Sequence, residues 1–555
     1  MLPQRFSAAT LEKNLSALAT LNTDLVQRLC LPVDGSHIRF SETEQILYRL
    51  NDTLLPSAVN VTESPDVIGD IEDAGCIMLF GIGLGEQLDL LLERFPGMVI
   101  TVWDRDPWLL RLALMQRDYS QYMVAGRLKL SLGIDLLEMI GQAQSSSVMY
   151  HPLLKSIYRN ERNLLESGTG GRRAMTCAGG LFIDDAGDAL KDLGYSLYTL
   201  DIRKLAVEEI DLSIKRFAPR FLFAINYTNG LAELCRRTGI DLVCWEIDPA
   251  TDRLKPCGSG EEVHVFTYRK RNVDRFRRAG FRNAEHLPLA SNTGKRFPVR
   301  PSDPEKNSHS ASLSFVGSSM LEQAESFRTI FLNYYRNFKG GAPQAWEEGN
   351  RRLEDVLYRQ REDFSLYTIP DLLQEYFPGL DDHVLNLPEA YDPFILVGEI
   401  AAAEKRLNYL ARLSQTNVSV KVWGDPGWKS IEPHGIKYMG YAGHHREINS
   451  IYANSLINID VNRIYQMDIV PMRIFDILAC GGFVLAEHSD ELTELFKVGY
   501  EVEAYRTFDE LTEKAAYYLG HRDEAQEIAG RGMAAVRSRH TINSRIEYML
   551  RAIEK

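Results

Sequence analysis

The sequence predicts an α/β protein made of three Rossmann-like layers behind a helical preface. Apolar runs of strand length alternate with stretches of helical spacing from residue 75 onward. Glycine- or aspartate-bearing turns follow several of those runs, as strand-to-helix turns require. At about 150 residues per domain, the 555 residues predict three or four domains. Hydrophobic residues make up 45% of the chain and charged residues 25%, enough to build a core and exclude wholesale disorder. With 63 basic against 76 acidic residues the net charge is −13, which argues against wrapping a nucleic-acid backbone. The seven cysteines are scattered without a CxxC pair or spaced histidines, so neither a disulfide frame nor a zinc site is signalled, and reduced cytosol is expected. The N-terminus lacks the basic start and apolar run of a signal peptide. Apolar stretches such as 76–85 and 477–486 are half the roughly 20 residues of a membrane helix.

Taken in order, residues 1–70 place Leu11, Leu15, Leu18, Leu21, Leu25 and Leu29 at helical spacing, then lose periodicity through Pro56 and Pro65. From Gly75, CIMLFGIGLG, the helical EQLDLLLERFPG and MVITVWDRD form a β-α-β unit that GRLKLSL at 126–132 extends. A polar helical stretch around 153–165 and the segment SGTGGRR at 167–173 close this domain, placed at 71–170. A second, at 171–311, opens with AMTCAGGLFIDDAGDALKDLGYSLYTLDI, continues through FLFAINY, DLVCWEID and EVHVFTY, and ends in the aperiodic loop 296–312. A third, at 312–535, starts with LSFVGSS and carries a helical insertion at about 330–395. Its sheet resumes at SVKVWGD, IKYMGY, LINIDV, GFVLA and YEVEAY, and a C-terminal helix fills 536–555.

Gly81, Gly83 and Gly85 stand where a phosphate or ribose meets a helix N-terminus, and Asp104 ends the next strand, where ribose hydroxyls are held. GIGLGEQ therefore has two readings: a nucleotide or S-adenosylmethionine site, or a tight turn that needs glycine for its backbone. In DIVPMRIFDILACGG, residues 468–482, Asp468 and Asp476 lie eight positions apart around Arg473 and ahead of Gly481 and Gly482. A helix starting near Pro471 would offer Arg473 and free N–H groups to a diphosphate and Asp476 to ribose; the other reading is a capped amphipathic helix closed by glycines. Gly317, Ser318 and Ser319 after LSFV could likewise meet a diphosphate or cap a helix. His444 and His445 are adjacent but lack a third ligand, so no metal is assigned.

PMRIFDILACGGFVLAEHSDELTELF resembles the nucleotide-sugar segment of the CgeB-like glycosyltransferases, which have the two-Rossmann GT-B fold. KVWGDPGW and IKYMGYAGHHREINSIYANSLINIDVNR resemble the same family's C-terminal half. FLFAINYTNGLAELCRRTGIDLVCWEIDP and VHVFTYRKRNVDRFRRAGFRNAEHLPLASN resemble its N-terminal half, and LSFVGSS the first strand of its C-terminal domain. The resemblance covers about residues 174–550, with aspartates where retaining relatives carry two glutamates. It implies two Rossmann-like domains facing a cleft. The donor would contact Gly317, Ser318, Ser319, Gly424, Asp468, Arg473, Asp476, Gly481 and Gly482, with Tyr438, Gly440 and Tyr441 around the base. Asp184, Asp185, Asn226 and Asn229 would line the acceptor cleft. Asp248, with Glu246 beside it, would be the base toward an acceptor hydroxyl, although WEIDP also reads as an Asp-Pro turn.

The N-terminal third, with LEKNLSALATLN, LFGIGLGEQLDLLLERFPGMVITVWDRDPWLLRLAL and RDYSQYMVAGRLKL, is similar to Maf-type flagellin glycosyltransferases, which implies a protein acceptor, flagellin first. The expected activity is cytoplasmic transfer of a sugar from a nucleotide diphosphate, UDP favoured, to a protein Ser or Thr hydroxyl, without cofactor or metal. The alternatives are an S-adenosylmethionine-dependent methyltransferase using Gly81 to Asp104, and a non-catalytic scaffold derived from the GT-B fold.

Overall fold

The computed structural model describes residues 2–41, 45–48, 53–55, 76–143, 146–248, 254–257, 260–300, 302, 306–387, 391–416, 418–443 and 446–554; Pro56, Pro65, His444 and His445 lie outside the described residues. The chain divides into two compact units, Met1–Cys244 with Gly260–His264, and Trp245–Ser259 with Val265–Lys555. The fold class is the expected one, α/β with parallel Rossmann-like sheets. Among the described residues no helix is long and apolar enough to cross a membrane.

In the first unit the expected preface forms two helices, Ala8–Ala19 and Thr23–Cys30, separated because the Asn22 side chain caps the second by accepting from the Leu25 N–H at 2.9 Å. Leu18, Leu25 and Leu29 are buried with the core of the first parallel sheet, whereas Leu21 stays exposed. Three short antiparallel strands follow where periodicity seemed to end: β1 (Ile38–Phe40), β2 (Ile46–Tyr48) and β3 (Thr53–Leu55). The next sheet comprises β4 (Cys76–Phe80), β5 (Val99–Asp104), β6 (Leu128–Leu132) and β7 (Ser147–Tyr150), all parallel in the order β6-β5-β4-β7. β7 was not expected: SVMY is four residues long and follows a serine run, too short to show a period.

The second sheet has the order β13-β12-β11-β10-β8-β9, from β8 (Arg172–Cys177), β9 (Tyr195–Leu200), β10 (Phe221–Ile225), β11 (Asp241–Glu246), β12 (Val263–Thr267) and β13 (Asn283–His286). β8 begins inside the segment expected to be a boundary, and side chains cross that boundary within the first unit. Glu161 accepts from the Thr199 N–H at 2.7 Å and from Arg105 at 3.1 Å. Arg28 of the preface donates to Glu209 and to Asp135, both at 2.8 Å.

In the second unit, β14 (Ala311–Val316), β15 (Val420–Trp423), β16 (Lys437–Tyr438), β17 (Ser455–Ile459), β18 (Val484–Glu487) and β19 (Glu503–Tyr505) form a wholly parallel sheet, β16-β15-β14-β17-β18-β19. Numbered within the sheet this is 3-2-1-4-5-6, the doubly wound order whose ligand crevice opens at the carboxyl ends of strands 1 and 4. The helical insertion is larger than expected: Leu321–Phe338, Ala345–Glu362, Ile369–Tyr376, Leu380–Leu385 and Pro393–Ser414 all lie between β14 and β15. Phe331, Leu396 and Ile400 join the sheet's Leu313, Val422 and Ile457 in one core, and each such burial stabilises by roughly 1.5–3 kcal/mol. Pro393–Ser414 starts sharply because Pro393 fixes its first turn and Asp392 accepts from the Phe394 N–H at 2.9 Å.

Candidate functional site

The switch point between β14 and β17 gathers cations from three elements. Glu399 and Arg406 are seven residues apart on Pro393–Ser414, two turns, so both project from one face. Arg406 is buried and donates only to backbone: its Nη1 bonds the Ser318 carbonyl at 3.1 Å and its Nε reaches the Val461 carbonyl at 3.4 Å. None of the described carboxylates ion-pairs with it. Burial first, then the charges of Arg473 and Arg463, pull its pKa down to about 9. Arg473 donates to Asp460 at 2.9 Å and lies over the Phe315 ring, 4.6 Å from its centroid. Asp460 and Asn462 follow β17, and the Asp460 Oδ2 and the Asn462 Nδ2 are buried without a hydrogen-bond partner. Buried polar atoms are normally satisfied, so an orphan acceptor and an orphan donor beside a cation without an ion-pair partner mark a place built for a ligand. The loop is tethered to the sheet: Glu487 at the end of β18 accepts from the Asn462 N–H at 2.9 Å and pairs with the buried Lys405.

Several expected donor residues meet here. A Cβ on Gly317 would stand 3.1 Å from the Arg473 Nη2, so glycine lets the guanidinium approach the turn. A Cβ on Gly424 would lie 2.1 Å from the Gly317 carbonyl oxygen, and the Gly424 N–H donates to the Gly440 carbonyl at 2.9 Å, which ties the loops after β14, β15 and β16 together. Tyr438 donates its hydroxyl to the Gly424 carbonyl at 3.1 Å, while the neighbouring Tyr441 is 70% exposed and leaves a ring face open. Ser318 and Ser319 hold the turn ahead of the helix: the Ser318 hydroxyl accepts from the Met320 N–H at 2.9 Å, and the buried Ser319 bonds Asp425, its N–H donating at 2.6 Å.

Other expected donor residues are engaged elsewhere in the unit. Asp476 sits on Met472–Ala479, but rather than facing a ribose its carboxylate accepts from the Ser291 hydroxyl at 2.6 Å and the Arg296 Nε at 3.0 Å. Asp468 takes the Arg269 Nε on both oxygens at 2.8 Å. Gly481 has φ of 73° and closes that helix, and a Cβ on Gly482 would lie 2.4 Å from the Tyr452 carbonyl oxygen, so both glycines serve packing.

Glu246 ends β11 and is buried; Asp248 is half-buried two residues on. The charge of Asp248 reaches this site. Burial opposes the charge on Arg463, yet Glu399, then Tyr465 and Tyr268, and Asp248 outweigh it and hold its pKa above the ordinary value. Asp184 and Asp185, in the first turn of Ile183–Asp192, and Asn226 and Asn229, after β10, belong to the first unit. Asn226 has φ of 58°, a left-handed conformation that asparagine tolerates.

The N-terminal glycine turn is filled by its own chain. A Cβ on Gly81 would meet Leu154 at 2.9 Å, one on Gly83 the His151 Nε2 at 2.7 Å, and one on Gly85 the Tyr119 hydroxyl. Asp104, expected to hold a ribose, is fully buried and accepts from the Ile82 and Asp106 N–H groups and the Tyr158 hydroxyl, each at 2.8 Å. Burial raises its pKa to about 7 despite these bonds.

Sequence reading missed Arg406, Asp460, Asn462 and Arg463. The last three stand in LINIDVNR, where a strand ending in polar residues was a usable signal; Arg406 lies deep in the helical insertion and gave none. Among the described residues no cluster of three or more His, Cys, Asp or Glu could hold a metal ion.

Residues 405–551 match the family model "Glycosyl transferase-like", a span that contains Arg406, Asp460 and Arg473. An uncharacterized protein of Aquifex aeolicus is 22% identical over 385 residues, covering 65% of this chain and 90% of its own length. Among solved structures, a glycosyltransferase from Rickettsia africae aligns over 69% of this chain and 98% of its own at 10% identity and a TM-score of 0.42. The Anabaena HepE protein in complex with UDP-glucose aligns over 86% and 99% at 10% identity and a TM-score of 0.37. These scores are too low for any site residue to be carried across.

Proposed function

We propose that this chain is a GT-B glycosyltransferase that binds a nucleotide-diphosphate sugar, a UDP-sugar in the first instance, at the β14/β17 switch point and moves the sugar to a protein hydroxyl. The observation that carries the reading is Arg406, a buried cation without a carboxylate partner at the crevice of a 3-2-1-4-5-6 sheet. A diphosphate supplies the missing counter-charge. Arg406, Arg473 and Arg463 would neutralise the charge that develops on the β-phosphate of the leaving nucleotide, beside the two the diphosphate already carries, the role that a metal plays in other enzymes. In the transfer the acceptor oxygen bonds the sugar's C1, the bond from C1 to the diphosphate oxygen breaks, and the nucleotide leaves with that electron pair. The hydroxyl proton passes to Asp248. The exposed Tyr441 ring, next to Gly440, offers a stacking face for the base.

The CgeB-like affiliation, and with it a Ser or Thr acceptor and flagellin as the leading candidate, rests on sequence resemblance. A cytosolic setting is supported by seven free cysteines. Against the methyltransferase alternative, His151 and Leu154 pack closely on its glycine turn. The test is to incubate the protein with a panel of UDP-sugars and purified flagellin. One sugar mass added to flagellin per nucleotide released is the expected result, and no consumption of any nucleotide sugar refutes the reading. Asp248→Asn should slow transfer about 10²- to 10⁴-fold and leave donor affinity within about twofold, since a base acts in the transition state.

A further inference from the structure

The second unit holds a cavity of 410 Å³ lined by Arg269, Arg271, Arg275 and Arg278 against a single carboxylate, Asp392. A chain of net charge −13 has gathered four guanidinium groups around one hollow. Three of them come from one helix, Lys270–Arg278: Arg271, Arg275 and Arg278 fall at i, i+4 and i+7 and so share a face, while Val273 and Phe276 bury the other. Packing accounts for the apolar face; on the basic face Arg271 donates to the Tyr465 carbonyl at 3.1 Å and Arg278 to the Asp274 carbonyl at 3.2 Å, neutral acceptors that leave the positive charge in place. Arg269 is already matched by Asp468, whereas Arg271 stands 4.0 Å from that carboxylate and is 53% exposed. Burial first, then the neighbouring Arg269 charge, lowers the Arg271 pKa, against the Asp468 charge that raises it. Ile395, in the first turn of Pro393–Ser414, adds the positive end of a 22-residue helix to the wall. Tyr268, which also lines the cavity, donates its backbone N–H to the Glu246 carbonyl at 3.1 Å, so the hollow adjoins the strand end that carries the proposed base.

We propose that this cavity is an oxyanion subsite for the acceptor: the group that receives the sugar carries a phosphate or carboxylate, which the arginines grip while its hydroxyl faces Asp248. The inference rests on the donor reading only for its placement on the acceptor side. The cavity is large enough for a phosphorylated or acidic sugar and too small for a folded domain, so a protein acceptor would enter by a modified or acidic side chain.

The experiment titrates inorganic pyrophosphate and, separately, glucuronate by calorimetry into the full chain saturated with UDP and into the chain without it. The parent is compared with the double variant Arg275→Gln/Arg278→Gln, which alters surface side chains and leaves the donor site intact. We expect one of the two probes to bind alongside UDP and to weaken about tenfold or more in the variant, with UDP affinity unchanged. Pyrophosphate tightest identifies a phosphate acceptor; glucuronate tightest identifies a carboxylate. Neither probe binding, equal binding by the variant, or displacement of the probe by UDP mole for mole overturns the proposal. If UDP binds neither protein while the probe still separates parent from variant, the donor reading fails and the oxyanion site stands.

Discussion

At the end of β4 the chain fills the switch point with His151, Leu154 and Tyr119, whereas at the end of β14 it places Arg406, Arg473 and Asp460 there. The two regions begin alike. Each strand is the first of a 3-2-1-4 parallel arrangement, and each runs into a turn with glycine. In the first, Asp104 has its hydrogen-bond capacity met by two N–H groups and a tyrosine hydroxyl, and the glycines make room for side chains. In the second, a cation lacks a carboxylate and two polar atoms lack partners. The difference teaches that a glycine turn after a strand reports backbone geometry, while the charge balance of the side chains behind it reports whether a ligand belongs there.

The sharpest way to break that contrast is Arg473→Gln, which keeps a polar side chain over Phe315 and removes the fork. Turnover should fall about 10²- to 10³-fold, as for loss of one group that steadies leaving-group charge, with circular dichroism confirming an intact fold. A smaller, paired effect separates the two turns. Gly317→Ala pushes a methyl group against the Arg473 guanidinium and should weaken UDP about tenfold, one charged hydrogen bond's worth, with little loss of stability. Gly83→Ala forces a side chain into a left-handed conformation against His151 and should cost about 1–2 kcal/mol of stability in urea unfolding, with UDP affinity unchanged. If the two variants behave alike, the contrast between the turns collapses.

The smallest effect is a pH slope. Burial holds His151 at about 4, below its ordinary 6.5, so the folded unit binds fewer protons than the unfolded chain between those values. Stability from His151 is then complete above about pH 6.5 and is lost as pH falls toward 4, on the order of 3 kcal/mol over the full window. Asp104, raised to about 7, acts in the opposite sense, so the parent's slope is a difference of the two. Urea unfolding at pH 7.5 and 5 should therefore show His151→Gln losing less stability on acidification than the parent; equal losses would mean the imidazole is not held neutral.

Much of this architecture was legible because parallel strands buried on both faces, such as CIMLF, FLFAI and LSFV, read as continuous apolar runs. β7 and the strands at 38–55 were not, since three or four residues carry no period. In the candidate site, the turn at Gly317 and the helix start beside Arg473 were readable as backbone features. The bonds that Ser291 and Arg296 make to the Asp476 carboxylate were not readable, because both residues lie far away in sequence. Arg406 was invisible for the same reason: an arginine in a helical insertion looks like any surface arginine until the fold buries it against β14.

The central claim, that a diphosphate belongs at the β14/β17 switch point, is tested most directly by the thermal shift that saturating UDP gives to the parent and to Arg406→Met. Replacing a buried cation without a carboxylate partner by an apolar side chain of similar length should leave the unliganded melting temperature equal or higher. UDP should raise the parent's melting temperature, as any ligand selective for the folded state must, and should leave that of the variant where it was. An equal UDP shift in both proteins would contradict the account and place the nucleotide elsewhere.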